Sequence, residues 1–123
     1  EFKILIVEDN KINMMLAKTL LKKILPNVIL IEAENGIIGV EKYIESSPDL
    51  ILLDIQMPLM NGYEVSLEIR KTDPNIPIVA LTAGTIRGEK EKCLEVGMND
   101  YISKPIDKEF FEVTILKWLK IIK

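Results

Sequence analysis

Apolar residues follow two rhythms along this chain. Five short runs are nearly continuous, at residues 2–7, 28–31, 50–53, 76–81 and 101–102. The first four are rich in Ile, Val and Leu and scarcely alternate, which is the pattern of strands buried on both faces of a parallel sheet. Between the runs the spacing lengthens to that of helices. Ile12, Leu16, Leu20 and Ile24 recur every four residues, and Pro26 closes that segment. Ile37, Val40 and Ile44 mark a helix over residues 36–45, and Asn61-Gly62 opens a stretch in which Val65 and Ile69 share a face. Residues 86–96 make a weaker helix with Ile86, Cys93 and Leu94, and Phe111, Ile115, Trp118 and Ile122 form the stripe of the last one. These positions are expected in the core, the final stripe included, in preference to an aromatic ligand box. Ser46-Ser47-Pro48-Asp49 and Asp73-Pro74-Asn75 read as surface turns. Five strand–helix alternations, without internal repeat, low-complexity tract or linker, predict one open, doubly wound α/β sheet with right-handed crossovers over residues 1–123.

Composition narrows the chemistry. A chain of 123 residues, 48% hydrophobic and 28% charged, has the make-up of one globular domain able to build its own core. A net charge of −3 with no long basic run makes nucleic acid and anionic membrane poor partners. The absence of histidine excludes Ser-His-Asp and Cys-His catalysis, His-containing zinc sites and a phosphohistidine on this chain. The lone Cys93 excludes an internal disulfide; it is expected to be a small buried apolar residue of a cytoplasmic protein. The nucleophiles left are mainly Asp, Lys, Ser, Thr and Tyr. No apolar run approaches the roughly eighteen residues needed to span a bilayer, and no signal peptide is visible. The opening Glu1-Phe2, without methionine, leads us to expect a domain excised from a larger protein.

In open α/β sheets the ligand crevice lies beyond the carboxyl ends of the strands. Glu8-Asp9 end the first run, Asp54 the third, Thr82 the fourth (followed by Ala83-Gly84) and Lys104-Pro105 the fifth. Three carboxylates, one hydroxyl and one ammonium therefore share an edge. Carboxylates that crowd together raise one another's pKa unless a cation neutralises them. An oxygen-only cluster of this kind suits Mg²⁺, with Mn²⁺ able to substitute. Lys104 supplies a second positive charge and Thr82 a donor. Such a set can stabilise a phosphoryl group arriving at a carboxylate, a step that needs positioning and charge neutralisation but no histidine.

Val7-Glu8-Asp9-Asn10, the LeuLeuAspIleGlnMetPro stretch at 52–58 with Asn61-Gly62, Ala80-Leu81-Thr82-Ala83 and Lys104-Pro105 together resemble the receiver domain of two-component response regulators. The resemblance covers essentially the whole chain. The wording of residues 8–13, 57–62 and 97–106 looks closest to receivers attached to hybrid sensor histidine kinases. It implies a flavodoxin-like fold, with a five-stranded parallel sheet in the order 2-1-3-4-5 flanked by five helices. Strands one and three are then neighbours, so Glu8, Asp9 and Asp54 crowd together.

The same resemblance implies roles. Asp54 is the expected phosphoacceptor, and the domain catalyses its own phosphorylation and dephosphorylation. Asp9 ligates Mg²⁺ directly, Glu8 directly or through water, and the backbone carbonyl of Gln56 is a further ligand, while the Gln56 side chain influences how water reaches the acyl phosphate. Thr82 donates to a phosphoryl oxygen. Lys104 pairs with Asp54 at rest and with the phosphoryl group afterwards, and the Lys104-Pro105 bond is cis. Tyr101 is the switch aromatic, turning inward behind Thr82 and passing the change to the face of helix four, strand five and helix five. Asn13 caps or holds the acidic loop, Gly62 and Gly84 permit close backbone approach, and Gly84 leaves the site more open. Asp100 is read as a strand-entry residue and not a ligand. Glu8 departs from the Asp that many relatives carry at the first acidic position and is one methylene longer.

The implied phosphodonor is a histidine kinase or histidine phosphotransfer domain. The expected state is a monomer or a weak phosphorylation-dependent dimer, in the cytoplasm or as the cytoplasmic part of a membrane-bound sensor kinase, without direct nucleic-acid or membrane contact. Three other expectations compete. A phosphohydrolase with an aspartate nucleophile typically carries a second acid where Gln56 stands. A flavin- or nucleotide-binding module wants a Gly- or Ser/Thr-rich first loop, whereas this one reads Glu8-Asp9-Asn10-Lys11. A pseudo-receiver acting without phosphorylation lacks core motif positions, and none is missing here.

Overall fold

A computed structural model describes residues 2–83 and 88–122. Ten elements alternate in the order β1 (Lys3–Val7), α1 (Lys11–Ile24), β2 (Ile29–Ala33), α2 (Gly36–Ser46), β3 (Leu50–Asp54), α3 (Gly62–Arg70), β4 (Ile78–Thr82), α4 (Glu89–Glu95), β5 (Asp100–Ser103) and α5 (Lys108–Ile122). All strand pairs are parallel, and the sheet order is β2-β1-β3-β4-β5, as the resemblance implied. Each of the five apolar runs became a strand, with ends shifted by a residue or two.

β1, β3 and β4 lack alternation because both faces are covered, whereas β2, expected to be buried on both faces, lies at the sheet edge, with Ile29 42% exposed and Glu32 also exposed. Ile4, Ile6, Leu50, Leu52, Val79 and Leu81 pack on one side with Met14, Ala17 and Leu21 of α1 and Phe111 and Ile115 of α5. Leu5, Val7, Ile51, Leu53, Ile78 and Ala80 pack on the other with Val65 and Ile69 of α3 and Cys93 of α4. Each fully buried Val, Ile, Leu or Phe side chain among them stabilises the fold by about 1.5–3 kcal/mol. Register places Val7 opposite Leu53, Asp54 opposite Leu81 and Thr82 opposite Ser103. The carboxyl ends of β1, β3, β4 and β5 thus line one edge.

Two expected helix faces are corrected. In α1, Ile12 is 79% exposed and Leu16 38%, while Met14, Ala17, Leu20 and Leu21 are buried. A strict four-residue repeat turns about 400° per step, so it drifts about 40° each time and cannot hold one face over three steps. The true seam spaces residues by three and four. In α2, Ile37 is 47% and Ile44 71% exposed, and the residues fully buried are Gly36 and Gly39. This helix approaches the sheet through glycine: a Cβ at Gly39 would stand 3.0 Å from the Val7 methyls. Its apolar side chains pack only through the partly buried Ile38, Val40 and Tyr43. Leu94 is likewise exposed, whereas Cys93 is buried as expected. Phe111 and Ile115 are core and Trp118 packs at its margin; Ile86 and the Ile122 side chain lie outside the described residues. Pro48, expected in a surface turn, is buried, and the turn around it is closed by Ser47 in the left-handed region (φ 48°).

Candidate functional site

The acidic end of β1 is held by the backbone. The Glu8 N–H donates to the Ala33 carbonyl at 3.0 Å, continuing the pairing past β1. The Glu8 side chain is buried, and its Oε2 accepts from the Asn10 N–H at 3.2 Å. Asp9 is exposed. The loop is closed by Asn10, whose Oδ1 accepts from the Asn13 N–H at 3.0 Å as the N-cap of α1. Asn13 therefore joins the cap through its backbone, and the capping side chain belongs to Asn10, contrary to expectation.

Asp54 is the last residue of β3 and only 3% exposed. The chain then doubles back: the Ile55 N–H donates to the Leu81 carbonyl, and the Gly62 N–H donates to the Ile55 carbonyl at 2.8 Å. A Cβ on Gly62 would fall 2.5 Å from the Asp54 carbonyl oxygen and 2.8 Å from the Ile55 Cα, so this approach requires glycine, as expected. Gln56, two residues past Asp54, is exposed at the rim. The return is fixed by a capping box: Asn61 Oδ1 accepts from the Glu64 N–H, and Glu64 Oε1 accepts from the Asn61 N–H, both at 2.9 Å. Asn61→Ala is expected to cost about 1 kcal/mol, measured as a lower urea midpoint at unchanged slope.

Thr82 ends β4, is buried, and its Oγ1 has no hydrogen-bond partner among the described residues. The Lys104 N–H donates to the Thr82 carbonyl at 2.8 Å, and the Lys104-Pro105 bond is cis. Lys104 Nζ donates to Asp54 Oδ1 at 3.2 Å, the pairing expected at rest. It also lies 3.2 Å from Glu8 Oε1. That second pairing was not foreseen; the extra methylene of Glu8 was the available signal. Tyr101 is half-buried, sits opposite Ala80 and packs on the α3–α4 side of the sheet. Asp100 begins β5 as expected, and its carboxylate accepts from Trp118 Nε1 at 2.9 Å, tying β5 to α5 in a contact that sequence reasoning missed. Gly84 lies outside the described residues.

Burial, and then the neighbouring Glu8 carboxyl, push Asp54 up from 3.8 to about 7, against the pull of the Lys104 ammonium. Such a cluster favours a bound cation. Glu8, Asp9 and Asp54 each offer a carboxylate oxygen, all within 4.8 Å of one another. A hard divalent cation takes such oxygen donors, so the residues present fit one.

This chain matches the response regulator receiver domain family over residues 4–115 and belongs to it. It is a receiver domain of the two-component systems. It is 42% identical over 121 residues to hybrid signal transduction histidine kinase I of Dictyostelium discoideum, covering 90% of this chain but 7% of that protein. The chain thus spans a small part of the hybrid kinases it resembles. Among solved structures it is similar to the receiver domain of a Pseudomonas aeruginosa sensor histidine kinase, crystallised with magnesium coordinated in the active-site cleft (32% identity, TM-score 0.87, 97% of this chain and 98% of that one). It is also similar to the receiver domain of a Saccharomyces cerevisiae response regulator, co-crystallised with its histidine phosphotransfer protein (31% identity, TM-score 0.89, 98% of this chain and 90% of that one).

Proposed function

We propose that Asp54 accepts a phosphoryl group from a phosphohistidine on a kinase or histidine phosphotransfer protein. The observation that carries this reading is the pair of polar groups at the strand-end edge where Asp54 sits: an ammonium 3.2 Å from its carboxylate and, at the end of β4, a buried Thr82 hydroxyl without a partner among the described residues. Buried donors are ordinarily satisfied, and an incoming phosphoryl oxygen would satisfy this one. In the transfer, the bond between phosphorus and the donor imidazole nitrogen breaks as the bond to an Asp54 carboxylate oxygen forms. The electron pair stays with the departing imidazole, which takes up a proton. Thr82 Oγ1 donates to one phosphoryl oxygen, and Lys104 turns from the Asp54 carboxylate to another. Asp9, Asp54 and the Gln56 carbonyl are the residues to hold Mg²⁺, with Glu8 directly or through water. When bound, that ion neutralises the charge collected at this edge.

The phosphoryl group then biases an equilibrium between two arrangements of Thr82 and Tyr101, read out at the α4–β5–α5 face. Leu94 of α4 and Phe110 and Val113 of α5 are large apolar residues left exposed on two of the three elements of that face, in keeping with a surface that partners read. The domain serves as the receiver segment of a longer, hybrid-type sensor kinase acting in the cytoplasm, either monomeric or dimerising weakly when phosphorylated. Gln56, in place of a second acid, leaves the phosphohydrolase reading without its general acid.

The test is intact-protein mass after incubation with acetyl phosphate, with Mg²⁺ or with chelator. Reductive trapping and peptide mapping locate the adduct. One phosphoryl group, formed only with Mg²⁺ and mapped to Asp54, is expected. No adduct from acetyl phosphate or from a phosphorylated histidine protein would reject the reading in favour of a domain that signals by binding alone.

A further inference from the structure

We infer that Glu8 is the second anchor of Lys104, a positioning residue that keeps the ammonium at the mouth of the site while the charge of Asp54 passes to a phosphoryl group. This rests on the receiver chemistry proposed for Asp54.

Lys104 must reach the phosphoacceptor from the end of β5, with β4 standing between β5 and β3. A lysine stem is flexible and its ammonium a point charge, so something must place it. Asp54 does so only while it is a free carboxylate, because conversion to an acyl phosphate removes the charge of the carboxylate that Lys104 holds. Glu8 forms no bond to the phosphoryl group, and its carboxylate keeps its charge through the transfer. Its side chain is 0% exposed. Oε2 is tied to the Asn10 N–H at 3.2 Å. Oε1 faces Lys104 Nζ at 3.2 Å and has no other partner among the described residues. A carboxylate buried this deeply needs a counter-charge, and Lys104 is the cation it faces.

Length makes the contact. From the same backbone position, Asp carries its carboxylate about 1.5 Å less far, one carbon–carbon bond. A 3.2 Å ion pair does not survive that retreat unless the backbone follows. With one Glu8 oxygen committed to the backbone and the other to Lys104, direct metal ligation would fall to Asp9, Asp54 and the Gln56 carbonyl, and Glu8 would meet the ion through water.

The experiment compares wild type with Glu8→Gln and Glu8→Asp, each checked for folding by urea titration. The first readout is the Lys104 ammonium signal in ¹H–¹⁵N spectra, recorded in an Asp54→Asn background that removes the other carboxylate holding it, in the metal-free protein and with Mg²⁺ alone. An anchored ammonium exchanges slowly enough to be seen, and both variants are expected to lose its signal. The second is Mg²⁺ affinity, expected to fall by no more than about tenfold in both, as for a carboxylate that meets the ion through water. The third is acetyl phosphate uptake at saturating Mg²⁺, slowed about tenfold by Glu8→Gln in wild type but unaffected by it in a Lys104→Met background, since coupled residues are not additive. An unchanged Lys104 signal overturns the inference. So does an Mg²⁺ affinity that collapses in Glu8→Gln and recovers in Glu8→Asp, which would make Glu8 a metal ligand. Failure of wild type to take up phosphoryl would instead reject the receiver chemistry, while the ammonium spectra still decide whether Glu8 holds Lys104.

Discussion

Asp54→Asn is expected to abolish phosphoryl uptake and, without metal, to make the domain more stable at pH 7 by about 1–3 kcal/mol. Both effects have one origin. Burial and the Glu8 carboxyl raise Asp54 from 3.8 to about 7. Between those two values the folded protein binds a proton that the unfolded chain has released, so the stability of wild type falls as pH rises from about 4 to about 7 and levels off above that. Asparagine has no such charge to hold. The gap between the variants therefore opens across that window, and the lost Lys104 pairing keeps it below the full linkage value of about 4 kcal/mol. Urea unfolding from pH 4.5 to 8 in chelator measures it. Curves that run parallel across the range would show that Asp54 ionises in the fold at no cost. Excess Mg²⁺ is expected to narrow the gap, because the ion favours the wild-type carboxylates.

Gly62→Ala is expected to cost about 2–3 kcal/mol and to weaken Mg²⁺ binding as well. The added Cβ would meet the Asp54 carbonyl oxygen at 2.5 Å and the Ile55 Cα at 2.8 Å. Both are backbone atoms, which cannot rotate out of the way as a flexible side chain can. Relief must come from shifting the start of α3, where the capping box and the Gly62–Ile55 hydrogen bond resist it. The loop that would shift carries the Gln56 carbonyl. Chemical denaturation gives the stability loss and calorimetric titration the metal affinity. A loss under about 0.5 kcal/mol would mean that the loop takes up a methyl group without strain.

The strands and the strand-end residues were legible because both depend on local signals. A doubly buried strand must be apolar throughout, and the chemistry of a parallel sheet collects where its strands stop, so Glu8, Asp9, Asp54, Thr82 and Lys104 announced themselves by position. Which strands lie side by side was not written in those runs and came from family resemblance. Helix faces were harder. The buried seam of α2 is made by two glycines, which carry no apolar signal, and that of α1 follows Met14, Ala17 and Leu21, while Ile12 points to solvent. The Lys104–Glu8 and Trp118–Asp100 contacts join residues 96 and 18 positions apart in the sequence. No local pattern encodes such contacts.

Among the described residues the sheet divides the interior into two packings that share no side chain: successive residues of β1, β3 and β4 belong to opposite sides. Changes behind α1 and α5 and changes behind α2, α3 and α4 should therefore combine almost independently in free energy. Such a plan lets descendants of one ancestral domain alter the α1–α5 surface without retuning the other side. New partners can be acquired on one face while the strand ends between them keep their chemistry.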